Sequence, residues 1–249
     1  MLKLVLKPAI RLRITRRALP AAAVVLLPVL AACGGGSSST AQDSDSGAQS
    51  PSESQSSSAS NVSCDYPDDP QGATGNDDKP PATPDVQGKV PVTLNTSIGA
   101  LDATLDVGTA PCTVNSFVSL AKQGYFDKTP CHRLTAAPST IFVLQCGDPT
   151  GTGTGGPGYT VPDELSGKET YGPGTLAMAN TGQPNTGGSQ FFIVYQNTPL
   201  PPTYTVFGEL TPKGVQAVQK VAQKGTDNAY GQGDGHPKEP VTIDGVTIG

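Results

Sequence analysis

One arginine stands out. Arg133 is the sole arginine after residue 17, and it follows one of only two histidines, His132. A guanidinium is always charged and presents a rigid fork of donors, so it suits binding and charge stabilisation and not proton transfer. A surface or salt-bridging role is the ordinary fate of an arginine, but this one has unusual company. Phe142-Val143-Leu144-Gln145 and Gly147-Asp148 follow it, then two stretches dense in Gly, Asn and Thr: Gly172–Gly182 and Asn185–Ile193. Other chemistries fit poorly. Two histidines and no Cys-x-x-Cys give no metal-ligand spacing, so no metal is expected. Ser189, His132 and an aspartate lack the Gly-x-Ser-x-Gly elbow of a hydrolase nucleophile. Gly151-x-Gly153-x-x-Gly156 matches a dinucleotide fingerprint in letters, but Pro157 and Pro162 follow where a helix is required.

The elements that must hold these residues are short and mostly extended. Val92 and Leu94, then Leu101, Ala103 and Leu105, alternate with polar residues across the turn Asn95–Gly99, which predicts a hairpin. Pro111 opens a helix with Val114, Phe117, Val118 and Ala121 on one face and Gly124 as its stop. A second helix has Thr211 as cap, Pro212 at its first position, Val215, Val218 and Ala222 inward, and Gly225 at its end. Around them lie β-rich runs at Cys131–Thr135, Ile141–Gln145, Thr175–Ala179, Gln190–Tyr195, Thr205–Leu210 and Val241–Ile248. Many short strands with two isolated helices predict a mainly β fold, a closed antiparallel barrel.

Taken in order, His132-Arg133, Phe142–Gln145, Gly147-Asp148, Gly172–Gly182, Asn185–Ile193 and Val206-Phe207-Gly208 resemble the cyclophilin family. The likeness runs from about Val92 to Ile248. It implies a closed eight-stranded antiparallel β-barrel with an α-helix closing each end. It also implies peptidyl-prolyl cis-trans isomerase activity on proline-containing polypeptides, with no cofactor. The rotation faces a barrier of about 18–20 kcal/mol set by amide resonance, and an enzyme must bind the twisted amide better than either planar form. By resemblance, Arg133 donates a hydrogen bond to the prolyl nitrogen, Gln145 orients it, and Asn180, between Ala179 and Thr181, holds the substrate main chain. Phe142, Val143, Phe192 and Leu200 form the proline pocket, with Tyr204 where the family usually has His. The alternative is a non-catalytic proline-binding or cell-surface interaction module on the same fold. Eight residues, Leu134 to Ile141, separate Arg133 from Phe142, a longer link than the family usually has. That insertion, Thr135–Thr140, could displace Phe142. Pro199 stands where a Trp associated with cyclosporin binding is often found, so weak cyclosporin sensitivity is expected.

The first third of the chain is of another kind. Six of the 16 basic residues fall in the first 17 positions, ahead of an apolar run, Ala18–Leu30, too short and too interrupted by proline to span a membrane. Leu30-Ala31-Ala32-Cys33 resembles a bacterial lipobox, so residues 1–32 are expected to be a lipoprotein signal peptide. Lipidated Cys33 would anchor the chain to the extracytoplasmic face of a bacterial cell membrane. Residues 33–88, rich in Ser, Asp and Pro, are expected to be a disordered tether, and residues 89–249 the folded domain, acting as a monomer. Past residue 33 the charge is acidic, with nine acids and one lysine in 34–88 and 12 acids and nine bases in 89–249, which argues against nucleic acid as a partner. Four further cysteines permit two disulfides in an exported chain. Cys131 and Cys146 flank two strands of one predicted hairpin, which favours that pair and leaves Cys64 with Cys112.

Overall fold

The computed structural model describes residues 62–70, 72–74 and 77–249. The expected leader, the lipidation site Cys33 and the tether through residue 61 lie outside the described residues. From Lys89 onward the chain follows the predicted elements. β1 (Lys89–Thr96) and β2 (Gly99–Asp106) form the hairpin, with Val92 opposite Ala103 and Leu94 opposite Leu101. Their alternating apolar residues are buried, as the period-two pattern requires.

Helix α1 (Pro111–Lys122) follows. Its N-cap Ala110 has no capping side chain; instead the Glu164 carboxylate, far along the chain, accepts from Cys112 N and Thr113 N at 2.9 and 2.8 Å. A carboxylate there both satisfies orphan amides and suits the helix dipole. Four short strands come next: β3 (Thr129–Pro130), β4 (Arg133–Thr135), β5 (Val143–Cys146) and β6 (Thr175–Met178). After β7 (Phe191–Val194) and β8 (Val206–Leu210) comes α2 (Pro212–Lys224), capped by Thr211 and stopped at Gly225 with φ 78°. The chain ends through β9 (Asp234–Gly235) and β10 (Thr242–Ile248).

All ten strands belong to one antiparallel sheet in the order β3-β10-β1-β2-β8-β6-β7-β5-β4-β9. The expected closed eight-stranded barrel is therefore corrected: the sheet is curled and its order is open, with two extra two-residue strands at its ends. No ladder joins β3 to β9. The chain itself brings the ends round, because only Cys131 and His132 separate β3 from β4, a reach of about 10 Å. The Cys131–Cys146 disulfide ties that corner to β5. Inside the curl Phe117 of α1 stacks on Phe126 at 4.9 Å between ring centroids and meets Phe191 and Phe207 at 5.5 Å each. Leu144, Leu176, Ile193 and Phe207 complete this inner core.

Packing begins before residue 89, which corrects the expected end of the tether. The second disulfide, Cys64–Cys112, fastens the segment at 62–88 to the first turn of α1. Tyr66 is buried; its hydroxyl donates to Cys112 O and accepts from Asn115 Nδ2, and burial pushes its pKa up to about 12. The segment then runs beside residues 156–160. Asp69 N donates to Gly158 O, Thr160 N to Pro67 O, Gly156 N to Gly72 O and Thr74 N to Gly156 O. Its composition is poor in apolar residues, but one disulfide, one buried tyrosine and these backbone bonds hold it. Among the described residues no helix is long and apolar enough to cross a membrane.

Candidate active site

Strand parity places the site on the outer face of the sheet. In β5 and β7, Leu144 and Ile193 point into the core, so Val143, Gln145, Phe192 and Val194 point out. The register then lines up a row across four strands: Arg133 is opposite Gln145, Gln145 opposite Phe192, and Phe192 opposite Ala177. Polar chemistry occupies one end of the row and an apolar surface the other. Val143, Tyr171, Ala177, Phe192 and Val194 form a second cluster separate from the core, with Ala179, Leu200, Tyr204 and Val206 packed against it. The Tyr204 ring meets Phe192 edge-on at 5.3 Å. Tyr171 fixes that aromatic from behind: its hydroxyl donates to Tyr204 O and accepts from Tyr204 N, each at 3.0 Å.

Arg133 is held on both sides. Its Nε and Nη2 donate to the two oxygens of Asp234 at 2.8 and 2.7 Å, while Nη1 approaches Gln145 Oε1 at 3.4 Å. The Asp234 carboxylate holds the guanidinium proton more tightly than usual, against the opposing effect of burial. Gln145 Nε2 passes the chain on to Gln190 Oε1 at 2.9 Å, and Gln190 Nε2 donates to Gly155 O at 2.9 Å. The guanidinium is thereby linked to the glycine-rich loop 151–158. Asp148 organises that loop. It is fully buried, and it accepts from Thr150 N, Thr150 Oγ1, Gly153 N and Gly155 N at 2.6–3.1 Å. Burial alone would raise its pKa, but these hydrogen bonds outweigh it and the carboxyl lies below its usual range. His132 is also buried, and neither ring nitrogen finds a partner among the described residues, so desolvation lowers its pKa.

A groove of about 550 Å³ runs from Gln145 along Ala179, Asn180 and Thr181. Gly155–Tyr159 and Gly187–Gln190 wall it, with Asp69 and Gly72 at its rim. The Asn180 side chain is engaged on both sides: Nδ2 donates to Thr203 O in the loop before β8, and Oδ1 accepts from Gly182 N of its own loop. Thr181 is tied to Thr186 by two hydrogen bonds of 3.0 Å.

The structure thus brings together Arg133, Gln145, Val143, Ala179, Phe192, Leu200 and Tyr204, with Asn180 and Thr181 in the adjoining groove. Phe142 stands apart. It has the parity of Leu144, packs on the inner core and meets Tyr195 at 5.9 Å, and Phe142 N donates to Thr198 Oγ1. The insertion is folded away from the groove, with Ala136 N donating to Gly233 O at 2.8 Å. Asp234, Gln190 and Asp148 join the site without any expectation from the sequence. No periodicity marks a two-residue strand such as β9, although a lone arginine calls for an acidic partner.

A mainly β curled sheet, two helices and an arginine–glutamine pair beside an outward-facing aromatic cluster define the class. The chain belongs to the cyclophilin type peptidyl-prolyl cis-trans isomerase family, whose sequence model matches residues 91–248. It is 45% identical over 206 residues to a probable peptidyl-prolyl cis-trans isomerase B of Mycobacterium tuberculosis, covering 75% of this chain and 64% of that one. The chain thus spans under two thirds of that relative's length. A probable peptidyl-prolyl cis-trans isomerase A of Mycobacterium leprae is 39% identical over 175 residues, covering 63% of this chain and 90% of its own. Among solved structures, a cyclophilin type isomerase of Cryptosporidium parvum superposes with a TM-score of 0.57 at 32% identity, covering 65% of this chain and 98% of that one. The same protein has also been solved in the presence of the dipeptide Ala-Pro, with a TM-score of 0.56.

Proposed function

We propose that this protein accelerates rotation about X-Pro bonds by seating the proline ring against Val143, Phe192, Leu200 and Tyr204 while Arg133 donates to the prolyl nitrogen. The observation that carries this reading is the row Arg133–Gln145–Phe192, which sets a permanent donor beside an apolar cluster on the outer face of the sheet. The prolyl nitrogen offers its lone pair only when amide resonance is broken, so a donor aimed there favours the twisted form over both planar forms. No proton is transferred and no covalent bond forms. Gln145 helps hold the guanidinium, and the Asn180 main chain is left to pair with the peptide because its side chain braces the loop. Phe142 supports this surface from the core side.

The test is a proline-peptide isomerisation assay on the whole chain, with Arg133→Ala beside wild type. Loss of one preorganised donor should cost about 100-fold in kcat/KM. A wild-type rate equal to buffer would remove the enzyme reading, and full activity in Arg133→Ala would remove the mechanism.

The same reading places the enzyme outside the cell. A lipid on Cys33 would anchor a monomeric domain at the membrane, where its substrates would be exported proteins. Two disulfides among the described residues support an oxidising compartment. Labelling with radioactive palmitate tests the anchor: Cys33→Ala should lose the label and leave the membrane fraction.

A further inference from the structure

The Arg133 guanidinium is oriented by a carboxylate that a dedicated loop presents. Asp234 lies opposite Thr135 in the β4–β9 ladder, so it is the diagonal neighbour of Arg133 on the same face. Three sets of contacts fix it there. Within its own turn, Asp234 N donates to Gly231 O, and Gly233 N donates to Asn228 Oδ1, with Asn228 at φ 60°. From the chain before it, Asp227 Oδ1 accepts from Ala229 N and His236 N, and a Cβ on Gly235 would lie 2.2 Å from that oxygen. From the side, the insertion after Arg133 leans on the loop: Ala136 N donates to Gly233 O, and a Cβ on Gly233 would lie 2.4 Å from Ala136 O. The insertion and this loop brace one another.

We propose that Asp234 is a positioning residue for isomerisation, acting through Arg133, with the lengthened β4–β5 hairpin as its support; this rests on the reading of Arg133 given above. Its two oxygens take Nε–H and one Nη2–H and so fix the plane of the guanidinium. The Nη1 edge is left toward Gln145, which lines the groove. With side-chain exposures of 34% for Arg133 and 25% for Asp234, the pair is half shielded from solvent. A loop so constrained around one carboxylate is better accounted for by what it does to the donor.

The whole chain is compared with Asp234→Ala, Asp234→Asn, Asp234→Glu, Arg133→Ala and the double variant Arg133→Ala/Asp234→Ala. A donor free to swing should cost about tenfold in kcat with KM nearly unchanged. Asp234→Glu should recover part of the loss, and Asp234→Ala should add nothing once Arg133 is gone. Because Arg133 is the sole arginine after residue 17, its Nε–H resonance is readily assigned by NMR. It should be protected from exchange in wild type and lose that protection in Asp234→Asn, the variant least disruptive to the loop. Wild-type kcat in Asp234→Ala, or an unmoved Nε–H signal in Asp234→Asn, would overturn the proposal while leaving Arg133 as donor. An equal further loss on the Arg133→Ala background would reduce Asp234 to a structural role. Full activity in Arg133→Ala would instead bring down the reading beneath it, and this proposal with it.

Discussion

Asp148→Asn should loosen the groove wall and weaken the whole domain. The carboxylate satisfies four donors in a fully buried position, two on Oδ1 from Thr150 and two on Oδ2 from Gly153 and Gly155. Asparagine has one acceptor oxygen, so its amide nitrogen must face one of these pairs. Turned toward Gly153 and Gly155 it would leave two N–H groups unsatisfied. Turned toward Thr150 it leaves one, because the threonine hydroxyl can rotate and accept. The cheaper orientation costs about 1–3 kcal/mol for the stranded donor. Demoting the two surviving charge-assisted bonds to neutral ones adds roughly 1 kcal/mol or more. The total is about 3 kcal/mol. With a slope of about 2 kcal/mol per molar for a domain of this size, urea unfolding should shift its midpoint down by about 1.5 M. The kcat/KM for proline peptides should fall too, since Gly155 O anchors Gln190 and through it Gln145. A midpoint within about 0.3 M of wild type would refute this account of the loop.

Three further outcomes are expected. His132 is held neutral by burial, so the unfolded chain binds its proton more readily; stability should fall as pH drops below about 6.5. Asp148, with its lowered pKa, should add a second loss only below about 3.8. Melting curves across pH should show His132→Leu abolishing the first decline and leaving the second. Glu164→Ala should uncap α1 and cost about 1 kcal/mol, read by urea denaturation, with Glu164→Gln recovering part. Cyclosporin should bind the protein weakly, given Pro199 beside Leu200; nanomolar affinity for the purified protein would contradict that.

Much of the fold is legible in the amino-acid sequence. Alternation in Val92–Leu105 marks the hairpin, and the Pro, Thr and Gly punctuation marks both helices, because these signals are local. Val143, Phe192 and Gln145 come from the family resemblance, and strand parity agrees with them, since alternate residues of β5 and β7 face away from the core. What stays hidden depends on pairings between distant residues. Glu164 caps a helix 52 residues earlier, and Asp234 reaches Arg133 across 101 residues. Nothing in the residues adjoining either carboxylate announces its partner. Residues 62–88 look like a linker by composition, and those of them that the structure describes are packed through Cys64, Tyr66 and backbone bonds that composition does not count. Phe142 belongs to the pocket by its place in a motif, yet its parity puts it behind the surface it was expected to form.

The Cys64–Cys112 bond also decides how the domain would bear load. It closes a covalent ring around residues 64–112, with a sequence separation of 48. A pull on the chain ahead of Cys64 crosses the sulfur bridge into the first turn of α1 and never runs through residues 65–111. Asp69 and Gly72, which rim the groove, lie inside that ring. A domain pulled through the chain ahead of Cys64 would therefore keep the binding wall slack and in shape while the force travels around it. Stretched from its two ends, the chain with this bond closed should come up about 160 Å shorter than with this bond alone opened.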